Sequence, residues 1–249
     1  MSNLIQTNSW DFLKQYTDAR IALGRSGHSL PTQELLKFQL AHAQAKDAVL
    51  SELKVENLKL KFDTNNWQSI LFKSQVKNRN EYLKRPDLGK KLSIESRNSI
   101  TKLSTFNFQL SIVVVDGLSA QAIETNAIPF LELFIPLLQE SQIEIAPITI
   151  VEQGRVAIGD EIGELLSAQI VVVLIGERPG LSSPNSMGIY MTYHPKVGLT
   201  DESRNCISNI RPKGLTYKEA ALKLLYLITR SRELKFSGVN LKDELLLNT

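Results

Sequence analysis

The apolar positions of this chain repeat in two ways, and the change between them comes near Ser104. Ahead of it the spacing is helical. Trp10, Phe12, Leu13, Tyr16 and Ile21 share a helical period that stops at Gly24 and Gly27. A second helix is predicted after Pro31-Thr32, where proline suits a first helical turn, with Leu35, Leu36, Phe38 and Leu40 along it. It continues through Ala41-His42-Ala43-Gln44-Ala45, a run of good helix formers. Shorter helices are expected over 65–73 and 79–83, broken by Pro86 and Gly89. Beyond Ser104 the apolar residues gather into short continuous runs. Residues 106–115 read as a strand ending in Asp116-Gly117, then a helix over 119–138 that Pro129 and Pro136 should bend or split. A strand over 143–151, a glycine-punctuated loop, a short helix at Asp160 and an apolar strand over 170–175 follow. Two short strands, 186–194 and 206–210, lead to a closing helix over 217–232 that carries Leu222, Leu224, Leu225 and Ile228. Strands alternating with helices predict an α/β fold, a mostly parallel sheet covered on both faces, preceded by a helical N-terminal domain. The division falls at residues 1–103 and 104–249.

Bulk properties narrow the classes. The 249 residues, 43% hydrophobic and 22% charged, are ordinary for a globular protein with a full core. No apolar stretch approaches the roughly 20 residues that span a bilayer. The polar N-terminus lacks a secretory segment, so a cytoplasmic location is expected. A single cysteine, Cys206, rules out an internal disulfide. The net charge is only +3, but the stretch 54–102 is rich in lysine and arginine, including Lys84-Arg85 and Lys90-Lys91. Nucleic acid calls for a denser basic stripe with interleaved aromatic residues, so this is read as a solvated face or a docking surface for an acidic partner.

Candidate chemistry concentrates between Gln153 and Arg178. The turn Gly176-Glu177-Arg178-Pro179-Gly180 follows an apolar strand, and ligands of open α/β sheets sit beyond the carboxyl ends of strands. Gly154-Arg155-Val156-Ala157-Ile158-Gly159-Asp160-Glu161 has the glycine spacing of a phosphate loop, but Asp160 and Glu161 replace the lysine and hydroxyl that meet phosphate and magnesium. The glycines then serve a sharp turn or a close approach to something flat and bulky. Asp160, Glu161 and Glu164 are candidate metal ligands, although acidic residues in a first turn more often offset the helix dipole. Glu177 and Arg178 either pair with each other or solvent, or Glu177 accepts hydrogen bonds from a ligand. Cys206 reads as a small buried hydrophobe before a reactive thiol. His28, His42 and His194 are scattered without metal-ligand spacing, and no self-sufficient catalytic constellation is present.

Several motifs in one order resemble a known family. They are Val115-Asp116-Gly117-Leu118-Ser119-Ala120, the Gly154–Gly163 segment, Ile175-Gly176-Glu177-Arg178-Pro179-Gly180-Leu181-Ser182-Ser183, Arg204-Asn205-Cys206-Ile207-Ser208-Asn209-Ile210-Arg211-Pro212 and Leu215-Thr216-Tyr217. Upstream, Ala19-Arg20-Ile21-Ala22-Leu23-Gly24-Arg25, Ser29-Leu30-Pro31-Thr32 and Arg85-Pro86-Asp87-Leu88-Gly89 join them. Together they make the chain similar to the small (light) subunit of ethanolamine ammonia-lyase.

The resemblance implies a Rossmann-like C-terminal domain behind a helical N-terminal one. It also implies a two-subunit lyase that uses adenosylcobalamin to turn ethanolamine into acetaldehyde and ammonia by a radical route. The large subunit, a TIM-type barrel, holds the ethanolamine, and the small subunit closes over the cobalamin at their interface. Carried over by motif, the cobalamin contacts fall on Val156, Glu177 and Cys206. No histidine motif for replacing the nucleotide base under cobalt is present, in keeping with the base-on binding of the family. Some members carry an N-terminal extension associated with packaging into a bacterial microcompartment; here the helical body is expected from Trp10, which gives that residence no support. The competing class is a non-catalytic interaction or scaffolding module with a basic docking face. A self-contained nucleotide enzyme is the weakest reading, because the phosphate-binding residues are missing.

Overall fold

A computed structural model describes residues 5–100 and 108–244. Its centre is a sheet with strand order β1-β3-β2-β4-β5-β6, built from β1 (Ser69–Lys73), β2 (Leu110–Val115), β3 (Ile148–Glu152), β4 (Ile170–Gly176), β5 (Met187–Tyr193) and β6 (Arg204–Ile210). The first four in that order pair in parallel, whereas β5 runs antiparallel to both β4 and β6. The fold is therefore α/β with a mixed sheet in which only β5 is reversed.

Every residue of β2 and β4 is buried, as continuous apolar runs in parallel strands require. Alternate residues serve opposite faces. Ile112, Val114, Val172 and Leu174 pack with α5 (Ala120–Glu140), α7 (Tyr217–Leu234) and α2 (Val55–Thr64). Val113, Val115, Val171 and Val173 pack with α6 (Ile158–Leu165) and with Phe72, Leu92 and Ile100. The closing helix α7 begins with a capping box, Thr216 and Glu219 satisfying each other's backbone N–H groups.

Several expectations need correction. Residues 65–73 do not form a helix: Ser69–Lys73 is the edge strand β1, in register with Ile148–Glu152. The helix near it is α2, whose Val55, Leu58 and Phe62 form a buried stripe. The helix expected from Trp10 to Ile21 is only a 3-10 turn over Asp11–Gln15, and Trp10, Phe12 and Tyr16 are exposed. The second helix forms as α1 (Thr32–Leu50), but Leu35, Leu36, Phe38 and Leu40 are exposed while Ala41, Ala45 and Ala48 are buried. Helix α5 runs unbroken through Pro129 and Pro136, so neither proline splits it. Residues 79–83 are helical as expected, within α3 (Arg79–Lys84), and α4 (Ile94–Ile100) follows. The start of the strand expected from Phe106, and the division at 103/104, lie outside the described residues. No helix among the described residues is long and apolar enough to cross a membrane.

Candidate functional site

Strand β2 lies between β3 and β4, so the chain leaves it to one side through α5 and later crosses to the other through α6. Such a reversal opens a crevice beyond the strand carboxyl ends. A cavity of about 390 Å³ lies there, lined by Tyr82, Gly117, Arg155, Val156, Glu177 and Tyr190 among others. Two wider hollows, of about 480 and 550 Å³, are lined by the 6–25 segment and by the loops after Tyr193, away from these strand ends. Convergent polar groups and topology single out the strand-end cavity.

Its floor is bare backbone. The Leu118 N–H donates to the Gly176 carbonyl at 2.9 Å. A Cβ on Gly117 would stand 2.3 Å from that oxygen, and one on Gly176 would stand 2.0 Å from the Ser119 carbonyl. Gly117 also has a φ of +59°, a conformation that favours glycine. The remaining glycines of the loop and helix have another purpose. Added Cβ atoms at Gly154, Gly159 and Gly163 would meet Val115, Val173 and Pro195 at 2.6, 2.3 and 2.5 Å. They let α6 and the loop before it lie close on the sheet and on Pro195, so the close approach these three glycines permit is to the protein's own side chains.

One wall joins the N-terminal segment to the sheet. The Arg155 N–H donates to the Gly89 carbonyl at 2.7 Å, which seats the loop carrying Val156. Tyr82 is fully buried, donates to the Gly154 carbonyl at 2.9 Å, and lies between two guanidiniums, Arg155 at 4.1 Å and Arg79 at 4.5 Å from its ring centre. Burial, with Asp116 nearby, holds its hydroxyl well above the usual phenol range. Arg79 is itself buried; it donates to the carbonyls of Val49 and Gly117 at 2.7 and 2.9 Å and pairs with Asp116 at 3.5 Å. Asp116 accepts the N–H groups of Gln153 and Gly154 at 3.0 and 3.1 Å. Burial pushes its pKa up to about 6, against the opposing pull of Arg79 and these N–H groups.

The other wall holds Glu177 and Tyr190. Glu177 accepts from the Ser186 hydroxyl and, at 3.2 Å, from the Asn209 N–H, clipping the lead-in to β5 and the end of β6 to the rim. It does not pair with Arg178. Tyr190 faces Cys206 across the β5–β6 pairing, and the two side chains hydrogen-bond. Cys206 is exposed, not the buried hydrophobe its residue type suggests. Local desolvation of the sulfur nevertheless raises its thiol pKa; the Tyr190 hydrogen bond opposes this and the Glu177 charge adds to it.

The structure thus brings Val156 and Glu177 into one cavity and leaves Cys206 one strand away, linked through Tyr190. Asp160 and Glu161 are engaged elsewhere. Asp160 forms a buried pair with Arg204, and Glu161 accepts the Leu92 N–H at 2.8 Å. Neither caps its own helix by a side-chain bond. Among the described residues no cluster with metal-ligand character exists. Arg79, Tyr82, Arg155, Asp116 and Tyr190 join the site beyond the residues the motifs point to. Asp116 and Arg155 lie inside those motifs, a signal in the sequence, whereas Arg79 and Tyr82 carry no local signal.

The sequence model of the family described as ethanolamine ammonia-lyase light chain matches residues 7–242. The chain belongs to that family. Among its relatives, the ethanolamine ammonia-lyase small subunit of Pseudomonas fluorescens strain Pf0-1 is 51% identical over 245 residues, covering 97% of this chain and 89% of the relative. That of Azotobacter vinelandii is 50% identical over 243 residues, covering 95% and 89%. That of Xanthomonas campestris pv. campestris strain B100 is 51% identical over 240 residues, covering 95% and 88%. Membership of the ethanolamine ammonia-lyase light-chain family makes this chain a subunit of a lyase.

Proposed function

We propose that this chain is the small subunit of an adenosylcobalamin-dependent ethanolamine ammonia-lyase, and that its strand-end cavity forms half of the cofactor's cradle. The single observation that carries the reading is that cavity: open, floored by backbone, and not filled by the chain's own side chains. Its size, about 390 Å³, is too small to enclose a corrin but suits one edge of it, which requires a second polypeptide to complete the enclosure. The donor set fits as well. A corrin rim bears amides on apolar arms; Glu177 retains acceptor capacity beyond its two internal donors, and half-buried Val156 offers apolar contact.

In this reading Val156 and Glu177 hold the rim, with Cys206 at its outer edge beyond Tyr190. Residues 104–249 form the cofactor-binding domain, the helical domain is 1–103, and β1 is lent from the latter to the sheet. The bound cofactor supplies radical chemistry by homolysis of its cobalt–carbon bond. This chain's residues bind, orient and exclude water; none of those around the cavity is asked to transfer a proton. Ethanolamine is held by the large subunit and leaves as acetaldehyde and ammonia.

Reconstitution tests the proposal. This chain, the large subunit and adenosylcobalamin are mixed in all combinations, and ethanolamine-dependent acetaldehyde release is measured. Activity is expected only with all three together. Full activity without this chain, or from this chain alone, overturns the assignment.

A further inference from the structure

Arginines buried in this protein carry carboxylate partners. Arg79 has Asp116, and Arg204 has Asp160 and Asp201. Arg155 breaks the pattern. It is half-buried in the cavity wall, yet among the described residues no carboxylate forms an ion pair with it. Its Nε is sealed from solvent without any acceptor, and one Nη donates only to the Tyr82 carbonyl, at 3.1 Å. Its Cζ lies 4.1 Å from the centre of the fully buried Tyr82 ring, a cation–π contact that holds the guanidinium in the wall. A cation held in place and left unneutralised in a wall costs free energy unless an anion arrives to meet it.

The cavity as a whole is positive. Arg155 and Arg178 line it against the single carboxylate of Glu177, and Arg79 is neutralised by Asp116 behind the floor. Of these cations Arg178 is exposed and solvated. Arg155 is the pre-positioned one.

We propose that Arg155 seats the phosphodiester of the cofactor's nucleotide tail. The inference rests on the cobalamin reading of the cavity and deepens it: cobalamin carries amides all round its rim, and the phosphodiester is its one peripheral anion. With Nε sealed, the Nη edge of the guanidinium is what faces the cavity, and its planar pair of nitrogens is suited to phosphate oxygens. Arg155 is then a binding and positioning residue, fixing how the cofactor lies against the floor, while Val156 and Glu177 contact the ring's substituents.

The test separates this contact from the reading beneath it. The complex of this chain with the large subunit is titrated with cyanocobalamin and with dicyanocobinamide, which lacks the phosphate and its base, and binding is followed by visible absorption after ultrafiltration. Arg155→Gln is expected to weaken cyanocobalamin by about ten- to a hundred-fold, the range for a hydrogen bond to a charged group, and to change dicyanocobinamide by less than about three-fold. Arg155→Lys, which keeps the charge but loses the fork, should fall between. Co-elution of each variant with the large subunit and an unchanged melting temperature show that the wall still folds. Equal weakening of both ligands, or no weakening of either, overturns the proposal, as does a wild-type complex that binds both ligands equally well. If the wild-type complex binds neither, the cobalamin reading itself falls.

Discussion

Two ion pairs, Arg79–Asp116 and Arg204–Asp160, bury the same chemistry in different surroundings. Each leaves one guanidinium nitrogen without a partner, Nη2 of Arg79 and Nε of Arg204. Burial raises the pKa of both aspartates, with the arginine pulling the other way. They differ in what they hold. Arg204 also binds Asp201 and the Leu199 carbonyl, so its pair fastens α6 to the segment that opens β6. Arg79 reaches the carbonyls of Val49 and Gly117, and its partner Asp116 takes the N–H groups that lead into Arg155 and Val156. One pair is a clamp within the sheet and its cover. The other ties the end of α1 and α3 to the cavity floor and wall. A buried charge pair is weak proof of stability on its own, so location relative to the cavity carries the distinction.

Removing the arginine from each pair should give the largest effects. Arg79→Ala and Arg204→Ala each leave a buried carboxylate uncompensated and are expected to cost about 3–5 kcal/mol in urea unfolding. Only Arg79→Ala should also weaken cobalamin binding by the assembled complex, at a temperature where both variants are folded. Equal loss of cofactor affinity in Arg204→Ala would erase the contrast between the pairs.

Acid titration sharpens it next. Asp116 has a pKa of about 6 when folded against 3.8 as its ordinary value, so the folded chain binds more protons between those limits. Its contribution to stability is complete below pH 3.8 and is lost as the pH rises through about 6. At about 1.4 kcal/mol per pH unit, that amounts to about 3 kcal/mol. Asp160 contributes in the same direction, whereas Asp87 and Glu219, held below their ordinary values by Arg85 and Thr216, oppose it. The stability difference between wild type and Asp116→Asn, measured across this window, isolates the one group. A difference that stays flat from pH 4 to about 6.5 would mean that Asp116 is ionised throughout.

What the sequence made legible follows from what each region buries against. β2 and β4 lie inside a sheet covered on both sides, and their unbroken apolar runs could be read directly. β1 is a five-residue edge strand whose burial is only partial, so Ser-Ile-Leu-Phe-Lys offered no alternation strong enough to displace a helical reading. Trp10, Phe12, Leu36 and Leu40 looked like core positions but are exposed here, because periodicity reports an apolar face and not what covers it. For the site, the strand-end turn at Glu177 and the Val156 loop were visible from local order alone. The Arg79–Tyr82–Asp116 cluster was not, since its members come from α3 and from the end of β2, and long-range contacts leave no spacing rule behind.

The smallest effects distinguish Glu177, which lines the cavity, from Cys206, which lies one strand away behind Tyr190. Glu177 lines the cavity and already anchors Ser186 and Asn209, so Glu177→Ala loses an acceptor for the cofactor and loosens its own rim. A loss of cobalamin affinity of about 1–3 kcal/mol is expected, with subunit assembly retained. Cys206 is exposed and touches the cavity only through Tyr190. Cys206→Ser keeps a hydrogen-bonding group of similar size, and its effect on affinity and stability should stay within about 0.5 kcal/mol. Because desolvation and the Glu177 charge raise the thiol pKa, wild-type Cys206 should react slowly with a thiol-specific reagent at pH 7 despite its exposure. Bound cobalamin should slow it further if the cofactor reaches past Tyr190. Unchanged labelling in the loaded complex would restrict this chain's contacts to the Val156 and Glu177 walls and remove Cys206 from the site.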